Sequence, residues 1–249
     1  MSASRSVRRF APLLKKTVRD VSSGGLDNVA LVLKGVVFDV DGTLCMPQNY
    51  MFGEMRAALG IPKSEDILDH IYSLPSEQER QEAHAKIQAI ERAAMEKQVP
   101  QAGLLALMDY LDSKGIKKGI CTRNFDTPVT HLLSNHLPTH TIHPIITREF
   151  RPPKPSPGGI LHIAKSWGIL QESDVVDHKP RTKGAIPMIM VGDSIDDIIA
   201  GHEAGAATVL LRSEGKEELE KDERTDLVIS RLDELIGILD AGFEGRQVD

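Results

Sequence analysis

Four groups of polar residues stand where apolar runs stop. Asp39, Asp41 and Thr43 follow Val36-Val37-Phe38, and Thr122, Arg123 and Asn124 end the run that starts at Ile116. Arg148, Arg151 and Lys154 follow the stretch from Ile142 to Thr147, and Asp193, Asp196 and Asp197 follow Pro187 to Gly192. Carboxylates brought to one point repel each other unless a cation sits among them. Oxygen donors without His or Cys suit a hard ion, so Mg2+ is the expected metal. A lysine ammonium and a threonine hydroxyl beside it supply donors for phosphate oxygens. Such a set suits phosphoryl transfer better than acyl transfer, which needs an activated Ser or Cys.

The elements must bring these groups together. Lys34 to Val40 reads as a buried strand entering an Asp-Gly turn. From Pro100 helices and strands alternate, with predicted strands at 116–122, 142–147, 187–192 and 207–211 and a short one at 226–229. Predicted helices lie at 103–114, 127–136, 157–167, 195–204 and 232–239. This rhythm predicts an α/β fold, a three-layer, Rossmann-like parallel sheet. Ligands of such sheets bind outside the carboxyl ends of the strands, where the four polar groups stand. Residues 46–99 break the rhythm. They hold nine acids against six bases and one long predicted helix from Glu77 to Gln98, N-capped by Ser76. They read as a small, all-helical, acidic insert in a core of residues 31–45 and 100–241. Residues 1–30 are expected to form a loose basic tail and 242–249 a frayed end.

Composition removes several classes of function. Aromatics make up 4% of the chain and the net charge is −6, which argues against nucleic acid as a partner. The apolar runs are strand-sized, so no membrane association is expected. Cys45 and Cys121 show neither disulfide nor metal spacing and fit a reducing compartment. The expected location is cytoplasmic, with the nucleus also open. Residues 1–19 carry Arg5, Arg8, Arg9, Lys15, Lys16 and Arg19 and no acid, and the alternative is the mitochondrial matrix if that stretch is a presequence.

Asp39-Val40-Asp41-Gly42-Thr43-Leu44, Thr122, Lys154-Pro155 and Gly192-Asp193-Ser194-Ile195-Asp196-Asp197 resemble, in order and spacing, the four motifs of the haloacid dehalogenase superfamily. The resemblance implies a phosphatase in which Asp39 becomes an aspartyl phosphate and Asp41 is the general acid and base. It further implies that Asp39, the backbone carbonyl of Asp41 and Asp193 hold Mg2+. Thr122 and Lys154 would bind phosphoryl oxygens, and Asp197 would orient Lys154 or a metal-bound water. True dehalogenases of the family lack an acid at the position of Asp41, and its ATPases carry Lys-Thr after the nucleophile where this chain has Val-Asp. A phosphomutase is the alternative, and a non-catalytic binding protein on the same fold a third reading. The insert occupies the place of the family's helical cap, which implies a small phosphorylated metabolite as substrate. It is shorter than the caps of phosphoglycolate phosphatases and β-phosphoglucomutases. The chain most resembles small, uncharacterised fungal hydrolases of the family.

Arg123 and Asn124 join the phosphate-binding candidates. Arg123 has two other destinations, a cap acid or solvent. Arg148 and Arg151 are expected to be solvated, as loop arginines usually are. Arg56, Lys63 and Tyr50 are specificity contacts or ordinary surface and core residues. Residues 171–185 read as an irregular polar insertion that enters the fourth strand from its amino end, away from the chemistry.

Overall fold

The computed structural model describes residues 8–13, 30–182 and 184–245. Six parallel strands form the sheet: β1 (Gly35–Phe38), β2 (Lys117–Cys121), β3 (Ile145–Ile146), β6 (Met188–Gly192), β7 (Ala207–Leu211) and β8 (Leu227–Ile229). Their order is β3-β2-β1-β6-β7-β8. The strand that ends at Asp39, β1, is central, and Phe38 pairs with Ile120 on one side and Val191 on the other. Strand pleating sends alternate side chains to opposite faces. Val36 and Phe38 pack under α4 (Leu104–Ser113), α5 (Asp126–His136) and α8 (Glu234–Ala241). Val37 packs under α6 (Gly158–Ser166) and α7 (Ile195–Ala204). The result is the expected three-layer α/β fold. β3 is shorter than its predicted run because Pro144 has no N–H to extend the ladder.

Residues between β1 and α4 form three helices, α1 (Tyr50–Leu59), α2 (Ile67–Ser73) and α3 (Glu77–Met95). Met51, Met55, Ile71, Ala83 and Ile87 give them a hydrophobic cluster of their own. Helix α3 starts at a capping box: Ser76 Oγ accepts from the Glu79 N–H at 3.2 Å, and Glu79 accepts from the Ser76 N–H at 3.1 Å. It ends a turn earlier than its predicted limit.

Two expectations about the periphery are overturned. Residues 8–13 do not form a loose tail, nor do 242–245. Phe10 donates its N–H to the Phe243 carbonyl, their rings lie 5.4 Å apart, and both are buried against the core. Arg8 pairs with Asp226 at 2.9 Å and Arg9 with Glu244. The apolar area of two phenylalanines outweighs the basic character of the segment. Arg5, Lys15, Lys16 and Arg19, and the presequence reading, lie outside the described residues. The second is the irregular character expected of residues 171–185. They contain an antiparallel ribbon, β4 (Val175–Val176) with β5 (Lys179–Pro180), turned at Asp177 and His178, both with positive φ. The His178 ring stands 6.0 Å from Phe150 and packs on Gly158. The ribbon tip thus reaches the first turn of α6, on the Lys154 side of the sheet.

Candidate active site

The carboxyl ends of β1, β2 and β6 and the loop after β3 meet on one rim. Asp39 ends β1, its N–H held by the Val191 carbonyl at 3.0 Å. Glycine is required at two positions on this rim. Gly42 has φ +84°, and a Cβ there would collide with the Asp193 carboxylate. A Cβ on Gly192 would collide with Asp197. These two glycines let three acids approach from two strands.

Lys154 is buried and binds Asp39 Oδ1 at 2.6 Å and Asp197 Oδ1 at 2.5 Å. Asp197 Oδ2 accepts from the Ser194 N–H and hydroxyl at 3.0 and 2.6 Å, so the start of α7 fixes the carboxylate that fixes the lysine. Burial pushes Asp39 up to about 8, with Lys154 acting the other way and Asp197, Asp41 and Asp193 adding to the rise. Burial lowers Lys154, but Asp197 and Asp39 outweigh it and raise it above the ordinary range. Asp193 is also raised by burial, against the pull of Lys216, whose ammonium lies 2.5 Å from Asp193 Oδ2.

The metal-binding expectation meets a suitable donor set. Asp39, Asp193 and Asp197 each place a carboxylate oxygen within 4.8 Å of the others. Asp39 Oδ2 and Asp193 Oδ1 accept no hydrogen bond from a described residue. Buried carboxylates crowded in this way and shifted upward fit a hard divalent cation. Asp197 is the acid that Lys154 and Ser194 already occupy.

Asp41 stands differently. Asn124 Nδ2 donates to Asp41 Oδ2 at 2.8 Å. Burial raises Asp41, while the Asn124 bond, Lys154 and Arg148 oppose the rise. Asn124, expected to reach phosphate, thus spends its amide on Asp41. Thr122 Oγ1 accepts from the Asn124 N–H at 3.1 Å, which leaves the hydroxyl hydrogen to donate elsewhere. Arg123 likewise does not present a free guanidinium. It is paired with Asp66, the N-cap of α2, at 2.7 Å, and with Asp196 at 2.5 Å, which is the cap-acid destination.

The solvated reading of Arg148 is corrected, whereas Arg151 is exposed as expected. Arg148 is 1% exposed, paired with Glu91 of α3 and placed over the Phe125 ring. Arg151 stacks on Tyr72 of α2, its guanidinium carbon 3.2 Å from the ring centre. Sequence reasoning missed Glu91 and Lys216. Glu91 was legible as an acid on the buried stripe Ala83, Ile87, Glu91, Ala94. Lys216 lies in the loop after β7, another strand end of the same rim.

Between rim and insert lies a cavity of about 970 Å³. Asp39, Asp41, Thr122, Lys154 and Asp193 form its floor, and Met51, Met55 and Ile67 part of its walls, together with Arg56 and Lys63. Tyr50 is not among its lining residues and is half exposed. Cys45 and Cys121 are buried, and burial raises both thiols, so neither is a thiolate nucleophile.

A rim of carboxylates and buried lysine on a parallel α/β sheet defines a class, and comparison with known proteins gives the family. The model of haloacid dehalogenase-like hydrolases matches residues 33–205, and the chain belongs to that family. An uncharacterised hydrolase of Saccharomyces cerevisiae is 44% identical over 212 residues, covering 83% of this chain and 91% of that protein. A haloacid dehalogenase-like hydrolase domain-containing protein of Arabidopsis thaliana is 36% identical over 222 residues, covering 84% and 83%. Among solved structures, a hydrolase from Pseudomonas syringae superposes with a TM-score of 0.64 at 23% identity, covering 84% of this chain and 98% of that one.

Proposed function

We propose that this hydrolase is a magnesium-dependent phosphatase that cleaves a small phosphomonoester through an aspartyl phosphate on Asp39. The observation that carries the reading is the floor of the cavity. There a carboxylate bound to a buried lysine faces a second carboxyl held separately by an amide, beside two further acids. Two carboxyl groups in different environments divide the roles of nucleophile and acid.

Asp39 attacks phosphorus, and the ester P–O bond breaks as Asp41 delivers its proton to the leaving oxygen. Water then attacks the phosphorus of the aspartyl phosphate, Asp41 takes a proton from it, and the P–O bond to Asp39 breaks. Inorganic phosphate leaves and Asp39 is regenerated. Lys154 and the Thr122 hydroxyl stabilise the phosphoryl oxygens throughout. Mg2+ held by Asp39 and Asp193, with the Asp41 carbonyl, would supply the charge that keeps Asp39 ionised. The insert roofs the cavity as a cap and excludes bulk water. The cavity's volume suits a metabolite rather than a phosphoprotein, and its walls suit a leaving group with an apolar body and further oxygens.

Phosphate release from p-nitrophenyl phosphate with magnesium tests the reading. The wild type is expected to be active, and Asp39→Asn to lose at least about a thousandfold in kcat. Chelation is expected to abolish turnover. Equal rates in wild type and Asp39→Asn contradict the assignment. Conversion of a hexose 1-phosphate to an isomer without phosphate release would replace it by a mutase.

A further inference from the structure

We propose that Glu91 and Arg148 are positioning residues for Asp41, acting through Asn124. The proposal rests on the phosphatase reading and deepens it. Three side chains connect in series. Arg148 Nη2 donates both to Glu91 Oε1 and to Asn124 Oδ1, the latter at 3.3 Å. Asn124 Oδ1 also accepts from the Phe125 N–H at 2.8 Å. With its oxygen facing two donors, the amide has one orientation available, and its Nδ2 is committed to Asp41 Oδ2. A flipped amide would set N–H against N–H and oxygen against carboxylate. Asp41 Oδ2 is then the acceptor of the amide, and Oδ1, which meets only the weak Cys45 thiol donor at 3.9 Å, is the oxygen that carries the proton.

The burial of the series points to function rather than to stability alone. Arg148, Asn124 and Glu91 are 1%, 5% and 6% exposed. Arg148 Nε and Nη1 and Glu91 Oε2 are buried without a hydrogen-bond partner among the described residues. A buried ion pair with unsatisfied atoms is a poor stabiliser, and apolar residues of the same volume would serve the fold at least as well. What the pair does supply is a fixed Nη2. Glu91 belongs to α3 of the insert, whereas Asn124 and Arg148 belong to the core and are joined by the Arg148 N–H to Asn124 carbonyl bond at 2.9 Å. The series is complete only with α3 seated on the core, so the acid is aligned when the roof is in place.

The test compares kcat/KM for p-nitrophenyl phosphate and for glycerol 2-phosphate, with magnesium, in wild type, Glu91→Ala and Glu91→Gln. kcat/KM reports the cleavage of the ester bond. Nitrophenolate leaves without a proton, whereas an alkoxide needs one from Asp41. Glu91→Ala is expected to lose about tenfold or more on the alkyl ester and less than about threefold on the aryl ester. Glu91→Gln keeps an acceptor for Arg148 but a weaker one, and is expected to lie between. In an Asn124→Ala background, Glu91→Ala is expected to cost the alkyl ester little more. Equal losses on the two esters, or the same loss in both backgrounds, overturn the proposal. If circular dichroism shows Glu91→Ala unfolded, Glu91→Gln decides: an alkyl-to-aryl ratio unchanged from wild type overturns it. A wild type inactive on both esters removes the phosphatase reading together with this one; an active wild type with an unchanged ratio removes only the positioning role.

Discussion

Burial pushes the Asp39 carboxyl from an ordinary 3.8 up to about 8, so folding favours its protonated form. Stability from that preference is fully present below the unfolded value and is lost as pH rises through the folded one. Asp193, and Glu91 at about 7, shift in the same direction for the same reason, burial. Lys154 stays charged in both states across this window, because its own shift is upward. Metal-free protein is therefore expected to lose Tm as pH rises from the ordinary carboxylate range through about 8. Magnesium is expected to restore Tm most at the upper end, where the acids are ionised and need a cation. Scanning calorimetry with and without chelator reads both effects, and a metal-free Tm that is flat or rising over that window contradicts the account.

Three arginines join the insert to the core, each through a different partner: Arg123 with Asp66, Arg148 with Glu91 and Arg151 with Tyr72. Asp66 serves two elements, since it also caps α2 by accepting from the Leu68 and Asp69 N–H groups at 2.9 and 3.0 Å. Two variants separate those duties. Asp66→Asn keeps a capping side chain and loses only the ion pair, which at this partly exposed site is worth up to about 1 kcal/mol. Asp66→Ala loses about 1 kcal/mol more with the cap. Urea unfolding measures the difference, and equal losses in the two variants would assign the whole effect to Arg123. The starts of α3 and α7 were readable, because Ser76 and Ser194 mark them by local chemistry, whereas α1 and α2 were read only as part of an all-helical insert. Partners across elements were not readable, since one arginine's spacing in sequence does not say which of the insert's acids it meets.

At the scale of the molecule, residues 8–13 and 242–245 close on each other beside α8, with Phe10 and Phe243 in the same core cluster as Phe38 and Leu235. Neither ring lines the cavity. Phe243→Ala is expected to cost about 3–5 kcal/mol by transfer and cavity terms, with kcat and KM close to wild type below the new Tm. Denaturant melts and aryl phosphate turnover check the two halves of that statement, and a stability change below about 1 kcal/mol would mean that the Phe10–Phe243 contact does not anchor these segments. No helix among the described residues is long and apolar enough to cross a membrane.

The sequence by itself determined the order of the core strands and helices along the chain and the polar residues at the strand ends. It also determined that Asp39, Lys154, Asp193 and Asp197 share one rim. These features obey local rules, because an apolar run ending in a polar group is a buried strand with its end at the surface, whatever surrounds it. The tertiary structure alone decided what each rim residue does with its hydrogen bonds. Asn124 turned from phosphate to Asp41, Arg123 to Asp66 and Asp196, and Arg148 from solvent to Glu91, across 83, 57 and 57 positions of chain for the Asp41, Asp66 and Glu91 contacts. Such pairings depend on how the insert sits on the core. A buried charge takes the nearest partner in space, and no periodicity in the sequence encodes that distance.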